Sequence, residues 1–95
     1  GKYTAAICAA PKVLAVADLL KQRRVTGFPG VLEALQLKDT EITSNPVEID
    51  HNIITSRGPG TAMDFALTLI EKLCGEEKRK AVEAPLQRPA STTLQ

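Results

Sequence analysis

The chain is poor in the residues that most often announce a function. Its 95 residues include two cysteines, one histidine, one methionine and no tryptophan. The spacing of Cys8 and Cys74 matches no zinc motif, and His51 is the only imidazole. A metal site is therefore not expected, nor is a disulfide framework in a chain this rich in apolar residues. Charge of one sign is missing too: 12 basic and 11 acidic residues leave a net charge of +1. That balance gives no electrostatic case for a nucleic-acid partner or an anionic membrane. The basic cluster Lys21-Gln22-Arg23-Arg24 has no interleaved aromatics and reads as a solvated connection between a helix and a strand. No apolar stretch approaches the roughly 18–20 residues that span a bilayer, so no membrane is expected. No signal-peptide pattern is visible. Reduced thiols and a cytoplasmic setting follow as the expectation.

What is present is ordinary globular composition, 43% hydrophobic and 24% charged, enough for one small domain or part of a larger one. Tyr3 to Ile7 reads as a buried strand. Pro11 opens a helical pattern of Val13, Leu14, Val16, Ala17 and Leu20. Arg24 to Phe28 is β-like, and Val31 to Leu35 can make one or two helical turns. Lys38 to Asn45 reads as loop. Val47–Asp50 and Ile53–Thr55 flank His51-Asn52 as a β-hairpin, with Asn suited to positive φ. Gly58 and Gly60 allow unusual backbone angles before the next helix. Thr61 with Asp64 resembles a capping box. Met63, Ala66, Leu67, Ile70, Leu73 and Cys74 form one apolar helix face, which predicts a core position for Cys74. Gly75 is a natural C-cap. Glu76 to Ala84 predicts a last charged helix, and residues 88–95 read as a flexible tail after a domain spanning 1–87.

The chemistry concentrates in Ala5-Ala6-Ile7-Cys8-Ala9-Ala10-Pro11. Cys8 falls at the sharp turn between the first strand and the first helix. Ala9 and Ala10 leave room around the sulfur, and backbone N–H groups at the helix start favour a thiolate. This is the nucleophile-elbow layout with cysteine in place of serine. A small buried core cysteine is the competing reading, and the heptad alone leaves both open. In an elbow, the N–H of the residue after the nucleophile, here Ala9, is placed to meet an oxyanion.

The order strand–helix–strand, hairpin, helix predicts an α/β layered domain. Open sheets of this class carry more central strands than the two seen here, and continuous apolar strands need cover on both faces. The sequence also starts at Gly1 and runs directly into a strand. Both features lead us to expect that an N-terminal portion of the domain lies elsewhere.

Three runs, Ala6-Ile7-Cys8-Ala9-Ala10-Pro11, Thr26-Gly27-Phe28-Pro29 and Thr55-Ser56-Arg57-Gly58-Pro59-Gly60-Thr61, closely resemble the ThiJ/PfpI superfamily. The branch they resemble is that of the parkinsonism-associated deglycase and bacterial YajL. The resemblance runs in order from Lys2 to about Leu86 and covers only the C-terminal half of that family's domain. It implies a flavodoxin-like α/β sandwich with a mostly parallel sheet, of which this chain supplies the C-terminal half. It implies a homodimer of the complete domain and a reactive cysteine at Cys8. The acidic partner of that cysteine and a glycine-rich oxyanion segment would come from the missing half. Many members carry a histidine in the segment matching Thr26–Pro29. Phe28 stands there instead, which weakens a histidine-assisted proton shuttle and suits a pocket wall. Gly58 and Pro59 are expected either to line the pocket beside Cys8 or to serve only as the start of a helix.

The resemblance further implies glyoxalase or deglycase chemistry on a small aldehyde substrate such as methylglyoxal or glyoxal, or on their protein adducts, without metal or cofactor. A redox-sensing stress chaperone, in which Cys8 is oxidised without turnover, is the alternative. A non-catalytic half-domain is a third reading. A cysteine–histidine protease is discounted because His51 is expected in an exposed turn, far from the elbow. Glu33 and Glu48 show no partner in the sequence and are expected at the surface.

Overall fold

The computed structural model describes residues 2–89. Its first strand, β1 (Thr4–Ile7), is followed by a short helix, α1 (Pro11–Val16). Strands β2 (Arg24–Val25) and β3 (Glu41–Ile42) come next, then the hairpin β4 (Val47–Asp50) and β5 (Ile53–Ser56). Helices α2 (Ala62–Cys74) and α3 (Glu76–Glu83) close the chain. β5 lies at the centre of a three-stranded sheet in the order β1-β5-β4. It runs parallel to β1, with Thr4 opposite Ile53 and Ile7 opposite Ser56. It runs antiparallel to β4, with Val47 opposite Ser56. β2 and β3 form a small parallel pair.

All four β5 residues are buried, as expected of a strand covered on both faces. Side-chain bonds from β2 and the residue after it fasten the small pair to the main sheet. The Arg24 N–H donates to Asp50 Oδ2 at 2.7 Å, and the Thr26 N–H donates to Thr55 Oγ1 at 2.9 Å. Ala6, Leu14, Leu20, Val25, Leu32 and Ile53 make the core cluster. Each of its leucines is worth about 1.5–3 kcal/mol of apolar burial.

Several expected elements are shorter or differently turned. The first helix stops at Val16, not near Leu20, because Asp18 adopts φ 62°, a left-handed conformation that its short polar side chain tolerates. Leu20 is nevertheless buried, delivered to the core by the loop. The stretch read as loop contains β3, which forms because the Glu41 N–H finds the Arg23 carbonyl at 3.0 Å. In the hairpin turn the positive φ falls on His51 (55°) and not on Asn52. Gly58 has φ 171°, which is extended backbone, so the turn before α2 does not use glycine for an unusual angle. The hydroxyl of Thr61 turns back to the Arg57 and Gly58 N–H groups, both at 3.2 Å, and forms no capping box with Asp64.

The inner face of α2 is Asp64, Leu67 and Thr68, all buried. The apolar stripe read from the sequence shares only Leu67 with it. Met63 is 46% exposed and Leu73 66% exposed, and Cys74 is exposed rather than in the core. The helix meets the rest of this chain through its 64–67–68 rows, one step round from that stripe. Arg88, placed by sequence in the tail, folds back: Nη2 reaches Asp64 Oδ1 at 2.5 Å and Nη1 reaches Glu83 at 3.5 Å. The rest of the expected tail, from residue 90 on, lies outside the described residues.

Candidate active site

Cys8 stands at the C-terminal end of β1, next to the end of β5. Its φ is 66°. A left-handed conformation costs a residue with a Cβ about 1–2 kcal/mol, so the surroundings must hold it there. Two backbone bonds do so. The Cys8 N–H donates to the Ser56 carbonyl at 3.1 Å, and the Cys8 carbonyl accepts from the Phe28 N–H at 2.8 Å. The second bond requires close approach at Gly27, where a Cβ would lie 3.3 Å from the Cys8 carbonyl oxygen. The glycine is thus fixed by the elbow and not by its own turn.

The amide groups expected around the sulfur are partly consumed. Ala10 N–H bonds to the Ile7 carbonyl, Lys12 N–H to Ala9 and Val13 N–H to Ala10. Pro11 has none. Among the described residues the Ala9 N–H meets no acceptor, and Ala9 is exposed. A six-residue α1 has a short dipole, so the Ala9 amide is the local donor that remains. Cys8 itself is partly exposed and Cys74 exposed, and both are free thiols.

Phe28 and Gly58 come together. Phe28 Cδ1 lies 3.4 Å from where a Gly58 Cβ would be, about an ordinary contact distance, so the ring sits directly over the Gly58 backbone. The ring is 46% exposed, although its backbone is tied to Cys8. Pro59 is exposed and opens a 3-10 turn, Pro59–Thr61, that leads into α2. His51 sits beyond the other end of β5, so the whole strand, about 10 Å long, lies between it and the elbow. Its side chain is 79% exposed and touches Asp50 and Arg23, as the reading of an exposed turn residue anticipates.

Two charged residues were undervalued in the sequence. Glu48 is not a surface residue: it is 4% exposed and fully partnered. Its carboxylate accepts from Thr43 Oγ1 at 2.6 Å, Asn45 Nδ2 at 2.5 Å and Arg24 Nε at 3.0 Å. Burial works against its charge. The hydrogen bonds from Thr43, Asn45 and Arg24, with the Arg24 charge, outweigh burial and hold the carboxyl below its usual range. Two donors, Thr43 and Asn45, are close in sequence, but nothing in the sequence shows that they and Arg24 converge on Glu48. Glu33, by contrast, is exposed and, among the described residues, accepts only the Gly30 N–H. Arg57 lies in the quoted Thr55–Thr61 run but was given no role. Its Nε donates to the Gly27 carbonyl at 3.2 Å and its Nη1 to the Ser44 carbonyl at 2.9 Å.

The chain is similar to known proteins. Protein DJ-1 homolog B of Arabidopsis thaliana is 45% identical over 87 residues, covering 90% of this chain and 20% of that protein. The glutathione-independent glyoxalase DJ-1 of Schizosaccharomyces pombe is 36% identical over 88 residues, covering 93% of this chain and 46% of that protein. The crystal structure of Drosophila melanogaster DJ-1beta superposes with a TM-score of 0.84 at 40% identity, covering 92% of this chain and 47% of that one. The chain therefore spans less than half the length of each of these relatives, and within that span its α/β fold is theirs. The DJ-1/PfpI family itself matches residues 1–72, from β1 through most of α2. On the elbow, the sheet and these matches together, the chain belongs to the DJ-1/PfpI family.

Proposed function

We propose that this chain supplies the cysteine-bearing, C-terminal half of a cofactor-independent glyoxalase of the deglycase type. It spans residues 1–87, with Arg88 docked back upon it. The observation that carries the reading is Cys8 held at φ 66° by bonds to Ser56 and Phe28, in a chain related to named glyoxalases. A conformation that costs free energy is kept where neighbours enforce it, and such positions cluster at active sites.

In the proposed reaction the Cys8 thiolate adds to the aldehyde carbon of methylglyoxal, forming a C–S bond and an alkoxide. The Ala9 N–H is placed to meet that oxyanion. An acid–base group from the N-terminal half, a glutamate by resemblance, protonates the alkoxide. It then moves the proton from the former aldehyde carbon to the neighbouring one, converting the hemithioacetal to a thioester. Water cleaves the thioester, releasing lactate and restoring the thiol. The net change is methylglyoxal plus water to lactate, with no external oxidant or reductant. Phe28 and Gly58 form one wall of the pocket, with Pro59 at its rim. The complete domain works as a homodimer in the cytoplasm.

Lactate formation by the complete domain tests this reading. The Cys8→Ser variant is expected to lose nearly all turnover, because a hydroxyl without an adjacent base is a weak nucleophile. Phe28→Ala, which removes only a wall, is expected to cost about tenfold to a hundredfold. Turnover by Cys8→Ser at the unsubstituted rate would overturn the assignment. A second reading, redox sensing at Cys8, is favoured by one observation: a related Toxoplasma gondii DJ-1, at 37% identity, has been solved in an oxidised form. Peroxide-dependent suppression of aggregation, without lactate formation, would select it.

A further inference from the structure

We propose that Arg57 is a positioning residue for Cys8, acting through the Gly27–Phe28 segment. The proposal rests on the reading of Cys8 as the nucleophile and adds the residue that holds it in place. Four links close a ring around the cysteine backbone. Cys8 donates to Ser56; Ser56 is bonded covalently to Arg57; Arg57 Nε donates to the Gly27 carbonyl at 3.2 Å; and Phe28, next in the chain, donates back to Cys8 at 2.8 Å. Only the Arg57 link is a side chain. The same guanidinium donates through Nη1 to the Ser44 carbonyl at 2.9 Å, so one planar group fixes the ring to the loop before β4.

The need for such a clamp is physical. Cys8 is held in a conformation that relaxes unless its neighbours over-determine it. The Phe28 ring is half-exposed, so burial contributes little to holding its N–H against the Cys8 carbonyl. Upstream, the backbone is pinned at Thr26 by Thr55. Beyond Thr26, Arg57 fixes the carbonyl whose peptide unit carries the Phe28 N–H. A guanidinium suits the task because its rigid fork presents two donors in one plane, whereas a lysine ammonium offers a point charge on a flexible stem.

The test measures alkylation of Cys8 by iodoacetamide in the complete domain, read by peptide mass spectrometry at neutral pH. Cys74, at the end of α2 far from Arg57, serves as the internal reference. In Arg57→Ala the ratio of Cys8 to Cys74 alkylation is expected to fall about tenfold, the scale of a sub-ångström loss of position. Millimolar guanidinium ion should restore much of it in Arg57→Ala and leave the unsubstituted domain unchanged. Arg57→Lys should fall between the two, and it carries the test if the alanine variant does not fold. An unchanged ratio in both variants would overturn the proposal. So would a change that moves both cysteines together and is not rescued, since that marks general destabilisation. The readout needs no turnover. An unsubstituted domain that forms no lactate would overturn the glyoxalase reading, while the alkylation ratio would still decide the role of Arg57.

Discussion

Glu48 is the clearest case of a residue whose charge is part of the fold. It is buried at β4 and receives three donors, from Thr43, Asn45 and Arg24. A carboxyl held below its usual range contributes stability above its unfolded-state value and loses it as pH falls through the folded value. Asp50 shifts in the same direction: the Arg24 N–H is the largest cause, with His51 next. Thermal unfolding of the complete domain should therefore weaken with acid below about pH 4, near the ordinary carboxylate range. Glu48→Gln should flatten part of that dependence. It should also cost roughly 1.5–3 kcal/mol at neutral pH, the scale of a hydrogen bond to a charged group. An identical acid profile in the variant would show that the Glu48 charge is not part of this balance. The sequence could not show this, because Arg24 reaches Glu48 from 24 residues away and meets Thr43 and Asn45, in the loop before β4, only once the strands have assembled.

Among the elements, the joint between α2 and α3 shows where pattern reading succeeds and where it stops. The helix over 62–74 is legible in its 3.6-residue periodicity and in Gly75, whose φ of 96° ends it. Which face turns inward is not legible. Periodicity gives an apolar stripe, but the partner surfaces decide what is covered, and this chain covers Asp64 and Thr68 in preference to Met63 and Leu73. The burial of Asp64 is compensated by Arg88, 24 residues later, with both side chains largely enclosed. Arg79 adds an ion pair to Glu71 across the same joint and a second to Glu83 within α3. Arg88→Ala leaves the Asp64 carboxylate buried without its cation and should cost roughly 2–4 kcal/mol, less than a fully buried pair because some water reaches it. Urea unfolding of the complete domain measures this; a midpoint unchanged from the parent would assign the joint to Arg79 and the apolar contacts alone. The elbow was readable for the opposite reason. Cys8, the small residues after it and Pro11 are adjacent in sequence, so their geometry is local, and the hairpin was readable on the same ground. Arg57 was not, because its acceptors Gly27 and Ser44 are fixed only once the strands have assembled.

At the scale of the whole molecule, the described residues leave one sheet edge and several large apolar side chains uncovered. β1 pairs with β5 on one side only. Val13 and Val16 on α1 are 67% and 77% exposed, and Leu73 on α2 is 66% exposed. Small domains bury too little apolar surface to leave such groups in water without loss of stability. Under the proposed function this chain is one half of a shared domain, in which Cys8 comes from this half and its acid–base partner from the other. Fragment complementation tests that claim most directly: lactate formation from methylglyoxal by this chain alone, by the N-terminal half alone, and by the two together. The expected result is turnover only in the mixture, lost when the chain carries Cys8→Ser. Full turnover by this chain alone, or a mixture no more active than buffer, would contradict the account.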